Sequence, residues 1–123
     1  VRVRVSKAGG ISRAKKIATL CEWHGVHTAF QEGGDNDPVN QMAAAHLDMA
    51  IWNFGIQEEN HFRPEELEAF PGHAVTEHGY LYVNEQPGLG IDIDEDKAAG
   101  LLQEIPGPRG RHDRRADGTI VRP

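Results

Sequence analysis

The sequence predicts an α/β fold in which parallel strands alternate with helices, as in one part of a (β/α) barrel. Two strand-like apolar runs each end in a polar cluster, VHTAF before QEGGDNDP and AIWNFG before IQEEN. An amphipathic helix is expected between them. The connections are only a few residues long, which favours parallel neighbours joined by right-handed crossovers. In such a barrel the strands enter a packed core and the polar groups at their C-terminal ends face the substrate. Chemistry is therefore expected at residues 31–37 and 57–61.

The elements follow in order. Residues 1–5, VRVRV, alternate β-branched and charged side chains, the period-2 signature of a strand. Gly9 and Gly10 break it, and Ser12 is placed to cap a helix whose first N–H groups need an acceptor. Ala14, Ile17, Ala18 and Cys21 then recur at helical spacing, with Arg13, Lys15, Lys16 and Glu22 on the other face. Gly25 suits the left-handed turn that closes a helix. Val26 to Phe30 reads as the second strand, followed by a loop rich in Gly and Asp. Pro38 fits the first turn of the next helix, whose buried stripe is expected to be Val39, Met42, Ala43, His46 and Leu47. Ala50 to Phe54 reads as the third strand, ending at Gly55. Beyond Glu58, FRPEELEAF predicts a short helix stopped by Pro71-Gly72. TEHGYLYVNEQPGLGIDID has a hairpin-like pattern, and DEDKAAGLLQE a capped helix. The final stretch is rich in Gly, Pro and charge, with a turn signal at Asp117-Gly118.

Size and charge narrow the function classes. A complete barrel needs ~250 residues, so a chain of 123 residues holds at most three of eight βα units. The sequence opens within a strand, and the expectation is the last third of an enzyme, marginal or unfolded alone. A net charge of −6 argues against a binder of phosphate backbones. The RGRHDRR run, residues 109–115, reads as a solvated tail. The single cysteine, Cys21, forbids an internal disulfide and fits a reducing compartment. It lies on the apolar side of its helix, as a structural thiol. No apolar run approaches the length of a membrane span.

Glu58 is the strongest chemical candidate on position. It follows an apolar strand and one turn, so its carboxylate should project into the barrel mouth as a base, an acid or an acceptor for a hydroxyl. An ordinary solvated carboxylate, as at Glu59, is the bland alternative. In the QEGGDND loop, Gly33-Gly34 allow close backbone approach to a ligand. An Asp-rich turn capping the Pro38 helix accounts well for Asp37 and less well for Gln31 and Asp35. A calcium loop is not supported, because no helix-loop-helix frame or spaced Glu accompanies it. His24 and His27 straddle a helix end and a strand, and His46 falls in a buried stripe. No zinc signature is present, and no metal ligand is assigned.

Several motifs in fixed order carry a resemblance: KAGGISRAKKIATLCEWHGVHTAF, DNDPV, AAAHLDMAIWNFGIQE, PGLGIDIDE and DGTIVRP. Together they strongly resemble the C-terminal part of the enolase superfamily of the mandelate racemase/muconate lactonizing type, in its mannonate dehydratase-related, starvation-sensing branch. That resemblance implies a (β/α)7β barrel with a capping domain. It further implies Mg2+ chemistry that removes the proton α to a sugar-acid carboxylate and expels a hydroxyl as water. Residues 1–60 would be strands six to eight, and 61–123 the last barrel helix and capping segment. By the same resemblance, Glu58 matches a substrate-contacting glutamate after the eighth strand, Arg2 a substrate-contacting arginine of the sixth, and Asp35 the aspartate of the loop after the seventh. Gln31 departs, because dehydratases of this branch usually carry His-Gly-Pro-Gly-Asp there. An amide cannot titrate as imidazole does, which puts mannonate in doubt as substrate. The C-terminal Trp common in these dehydratases is also absent, since the chain ends VRP. The metal carboxylates and the Tyr and His acid–base residues would lie on earlier strands.

The expected function is that of part of a Mg2+-dependent acid-sugar dehydratase. Glu58 would be catalytic, and Arg2, Gln31, Asp35 and Glu58 would bind substrate. The alternative is a non-catalytic sugar-acid binder or metabolite sensor. The parent is expected to be a cytoplasmic homo-oligomer with an acid sugar as its partner and no nucleic-acid or membrane partner.

Overall fold

A computed structural model describes residues 1–31 and 36–101. Its first part is a three-stranded parallel sheet in the order β1-β2-β3, with β1 at Arg2–Val3, β2 at Thr28–Phe30 and β3 at Phe54–Gln57. Helices α1 (Val5–Ala8) and α2 (Ile11–Trp23) connect β1 to β2, and α3 (Pro38–Met49) connects β2 to β3. This is the βαβαβ order expected from the sequence, and it forms an arc of a barrel.

Packing decides where each element ends. The first strand covers only Arg2–Val3, shorter than the alternation of residues 1–5 implies. Val5 turns out of the ladder into the one-turn helix α1 and is only 2% exposed, because its side chain belongs to the core. Gly9 and Gly10 then both take positive φ, which glycine adopts at little steric cost. Gly10, not Ser12, is the N-cap of α2, and no side chain caps that end. Ala14 and Ala18 are the buried positions of α2, while Ile17 and Cys21 are half-buried.

Asp37 caps α3, accepting a 2.8 Å hydrogen bond from the Asn40 backbone N–H, with Pro38 in the first turn. The buried face of α3 is broader than the expected stripe. Met42, Ala43 and Leu47 are buried, as are Gln41, Ala44, Ala45 and Asp48, whereas Val39 and His46 are half-buried. Phe30 and Leu47 meet Val5 and the small residues Ala14, Ala18, Ala43 and Ala44 in one core cluster. Alanine at the contacts lets the helix axes lie close to the sheet.

The third strand is the main correction. It runs from Phe54 to Gln57, and residues 50–53 form the turn before it. Ala50 closes α3 through its N–H to the Leu47 carbonyl, and Trp52 is 92% exposed. Buried Asn53 donates through Nδ2 to the Ala18 and Val26 carbonyls, 2.9 Å each, and fixes the turn. The apolar run AIW therefore serves a helix end and a turn. The register also slips between Thr28 and Ala29, where Gly55 is the extra residue. A Cβ on Gly55 would stand 2.7 Å from the Thr28 carbonyl oxygen, so the irregularity needs glycine.

The second part follows its sequence pattern. Helix α4 (Pro64–Glu68) starts with the Glu66 carboxylate accepting from the Arg63 N–H at 2.8 Å. Strands β4 (Val75–Glu77) and β5 (Tyr80–Tyr82) pair antiparallel across His78-Gly79, both at positive φ. That is the backbone of a tight two-residue hairpin turn. Asn84 Nδ2 donates to the Gly72 and Gly90 carbonyls at 2.8 and 2.7 Å. His46 Nε2 donates to the Leu89 carbonyl at 3.1 Å, tying α3 to the PGLG loop. Helix α5 (Glu95–Gly100) is capped by Asp94, whose Oδ1 accepts from the Lys97 N–H. The expected helical residues after Leu101, the RGRHDRR run and the Asp117-Gly118 turn lie outside the described residues.

Candidate functional site

Register fixes which side chains share a face of the sheet. Arg2 pairs with Ala29, and Ala29 with Ile56. Alternation then places Gln31 and Glu58 on the same side, one step nearer the C-terminal ends. The neighbouring row, Val3, Phe30 and Gln57, points to the opposite side, where Phe30 is 1% exposed. The helices cover that second side. Ile56, on the first, is 66% exposed. Arg2, Gln31 and Glu58 thus stand on the sheet face that the helices leave uncovered.

The ladder continues past the strands and anchors the ends. The Gln31 N–H donates to the Val3 carbonyl at 2.7 Å, and the Glu58 N–H to the Phe30 carbonyl at 3.1 Å. Across this rim, Arg2 Nη2 donates to both carboxylate oxygens of Glu58, each at 2.8 Å. The pair spans two inter-strand gaps over β2. Ala29, the β2 partner of Arg2, presents only a methyl group on that face. The two side chains keep 59% and 39% of their exposure, so the pair is open on one side. A guanidinium has five N–H donors and an ionised carboxylate about four acceptor sites. One nitrogen held by both carboxylate oxygens leaves the other guanidinium N–H groups of Arg2 for a polyhydroxylated anion.

Of the four residues singled out from sequence, the structure joins Arg2 and Glu58. It sets Gln31 half-buried at the end of β2, between the strands that carry them. Asp35 lies outside the described residues. Glu59 turns elsewhere, and its Oε1 accepts from Thr76 Oγ1 of the hairpin. His24 and His27 do not converge with other ligands, and His27 Nδ1 donates to the Phe54 carbonyl at 3.3 Å. Among the described residues, no group of three or more His, Cys, Asp or Glu side chains could hold a metal ion. Among the same residues, no helix is long and apolar enough to cross a membrane.

Sequence reasoning passed over one residue. Asp48 is 9% exposed near the end of α3, and neither carboxylate oxygen has a hydrogen-bond partner. Burial pushes its carboxyl up from the ordinary range to about 7. The signal was its helical spacing from Gln41, Ala44 and Ala45, which makes it an acidic residue on a buried face.

Comparison with known proteins gives this geometry its family. The model described as "Enolase C-terminal domain-like" matches residues 1–97. The chain is 62% identical to a D-galactonate dehydratase family member of Paenibacillus sp. (strain JDR-2), over 100% of its own length and 31% of that protein. It is 47% identical to the D-mannonate dehydratase of Caulobacter vibrioides, over 80% of this chain and 25% of that one. Among solved structures, an enolase from Pantoea ananatis with bound D-gluconate and Mg superposes with a TM-score of 0.83 at 45% identity. That match covers 99% of this chain and 29% of the other. The chain spans less than a third of the length of these relatives. With a parallel βαβαβ arc and a matching family model over most of its length, the chain belongs to the enolase superfamily, in the enolase C-terminal domain-like family that its D-galactonate dehydratase relatives share.

Proposed function

We propose that this chain is the C-terminal part of a Mg2+-dependent acid-sugar dehydratase, a lyase that removes the proton α to a sugar-acid carboxylate and eliminates water. The observation that carries the reading is the Arg2–Glu58 pair, held across the C-terminal ends of parallel strands on the uncovered sheet face. Support comes from the D-gluconate and Mg bound by the Pantoea ananatis enolase and from the dehydratase names of the relatives. In this reading residues 1–60 supply strands six to eight, and residues 61–123 the last barrel helix and capping segment.

Each residue has a chemical task. The free N–H groups of Arg2 donate to the substrate carboxylate or a hydroxyl. Glu58 accepts from a hydroxyl or takes part in proton transfer, and it also holds the guanidinium in place. Gln31 offers an amide that donates and accepts without titrating, and Asp35 supports its loop. Among the described residues no side-chain cluster fits a Mg2+ site, and the family resemblance puts the metal carboxylates on earlier strands. The parent acts in the cytoplasm, as a homo-oligomer, on a small acid sugar.

Gln31 favours a second reading, a non-catalytic sugar-acid binder or sensor, because it puts an amide where related dehydratases carry a titratable imidazole. Full-length protein incubated with Mg2+ and a panel of hexonates, including D-gluconate, D-mannonate and D-galactonate, separates the two. Release of a 2-keto-3-deoxy product supports the dehydratase. Saturable binding without product supports the sensor, and a protein that binds no hexonate refutes both readings.

A further inference from the structure

Glu58 stands at the start of a loop, because residues 58–63 form no helix or strand. Its N–H still reaches the Phe30 carbonyl, and Gln57 Nε2 donates to its own carbonyl at 2.8 Å. Two residues on, the Asn60 N–H donates to Gln41 Oε1 of α3 at 3.3 Å. That acceptor belongs to another element, 19 residues back along the chain. Gln41 is only 4% exposed, in a helix whose start is fixed by Asp37 and Pro38. Ala44 and Ala45, also buried, share its face of that helix. A buried amide costs free energy unless it is hydrogen-bonded, whereas an apolar side chain would fill the place without that cost. Packing alone therefore asks for no amide at this position, and the Asn60 N–H gives it a task.

We propose that Gln41 is a positioning residue: through Asn60 it ties the loop after β3 to the core helix α3 and so keeps the Glu58 carboxylate on Arg2. This rests on the reading of Glu58 as a group that meets substrate. The ground is a difference in stiffness. A loop moves more than the elements it joins unless something holds it, and α3 is packed into the core. The Arg2–Glu58 contact cannot supply that hold. Its side chains keep 59% and 39% of their exposure, and an exposed ion pair contributes at most about 1 kcal/mol. The loop has to be fixed from its buried side, where Gln41 stands. Position matters at such a rim, because a misplacement of ~1 Å at a reacting group can cost about 100-fold in rate.

The test is a double-mutant cycle in full-length protein. Gln41→Met keeps the length and the helix propensity and removes the acceptor. On whichever of D-gluconate, D-mannonate and D-galactonate is turned over fastest, kcat should fall about 10-fold with KM within about twofold. Gln41→Glu keeps an acceptor oxygen at the same reach and should retain most of that turnover. In a Glu58→Gln background, Gln41→Met should cost less than about twofold, since the carboxylate it positions is already gone. Equal losses in the two backgrounds, or in Gln41→Met and Gln41→Glu, overturn the proposal and leave Gln41 a packing residue. The pair is also read without turnover. A crystal structure of Gln41→Met should show Arg2 Nη2 and the Glu58 oxygens more than about 3.5 Å apart, and an unchanged pair overturns the proposal. A protein inactive on all three hexonates refutes the dehydratase, and that structure then decides the role of Gln41. If Gln41→Met does not fold, amide exchange in the unsubstituted protein decides. Protection of the Asn60 N–H by about 10-fold or more supports the tie, and exchange at the unstructured rate overturns it.

Discussion

Glu58→Gln, made in the full-length protein, should separate catalysis from stability. The substitution keeps the side-chain length, removes the charge and leaves one oxygen where two now hold Arg2 Nη2 at 2.8 Å. Because the pair retains 59% and 39% exposure, its contribution to folding is that of a surface ion pair, about 0.2–1 kcal/mol. Thermal unfolding should therefore move by no more than a few degrees. Turnover should fall by ~100-fold or more, the range for a general acid–base group. That is about 2.7 kcal/mol of barrier, several times the folding effect. The assay is steady-state kinetics on the preferred hexonate with excess Mg2+, alongside a melting curve of the same preparation. Glu59→Gln is the control, because that carboxylate accepts from Thr76 on the hairpin and not from Arg2. Equal, small losses of turnover at both positions would show Glu58 to be a solvated loop carboxylate. A large loss of stability at Glu58 would show that the pair holds the barrel together and does not serve substrate.

Other changes give distinct outcomes. Gln31→His should shift the substrate profile toward D-mannonate, measured as relative kcat/KM across hexonates; an unchanged profile would remove this position from specificity. Asn53→Ala strips two buried carbonyls, Ala18 and Val26, of their donor, and should cost about 2 kcal/mol or more in urea unfolding. Gly55→Ala sets a methyl 2.7 Å from the Thr28 carbonyl and should destabilise by about 1–3 kcal/mol, read as a lower midpoint without loss of helix signal. In the 123-residue chain, the folded-state carboxyl of Asp48 near 7 lies above its ordinary 3.8. The folded state then holds the extra proton, so this group's share of stability falls as pH rises from about 4 to 7. Comparing unfolding of the chain with and without Asp48→Asn should show that slope only in the unsubstituted protein.

The sequence alone determined what depends on local chemistry. Helical spacing of Ala14, Ala18 and Cys21, the Asp37-Pro38 start of α3 and the hairpin pattern that begins at TEHGYLY all recur in the structure. Each needs only neighbours along the chain, so the pattern suffices. Position after an apolar run also sufficed to single out Glu58, since a rim residue is fixed by its distance from the strand. Tertiary structure decided what depends on partners far apart in sequence. The run AIW has strand composition, yet Asn53 finds its hydrogen bonds on residues 18 and 26 and moves β3 to Phe54–Gln57. Val5 leaves the ladder because the core has room for its side chain. Arg2 and Glu58 meet across 56 residues because register sets them on one face, on the two strands that flank β2. Asp48 is a buried acceptor without a donor for the same reason: burial and partnership belong to the packed chain, and no local pattern encodes them.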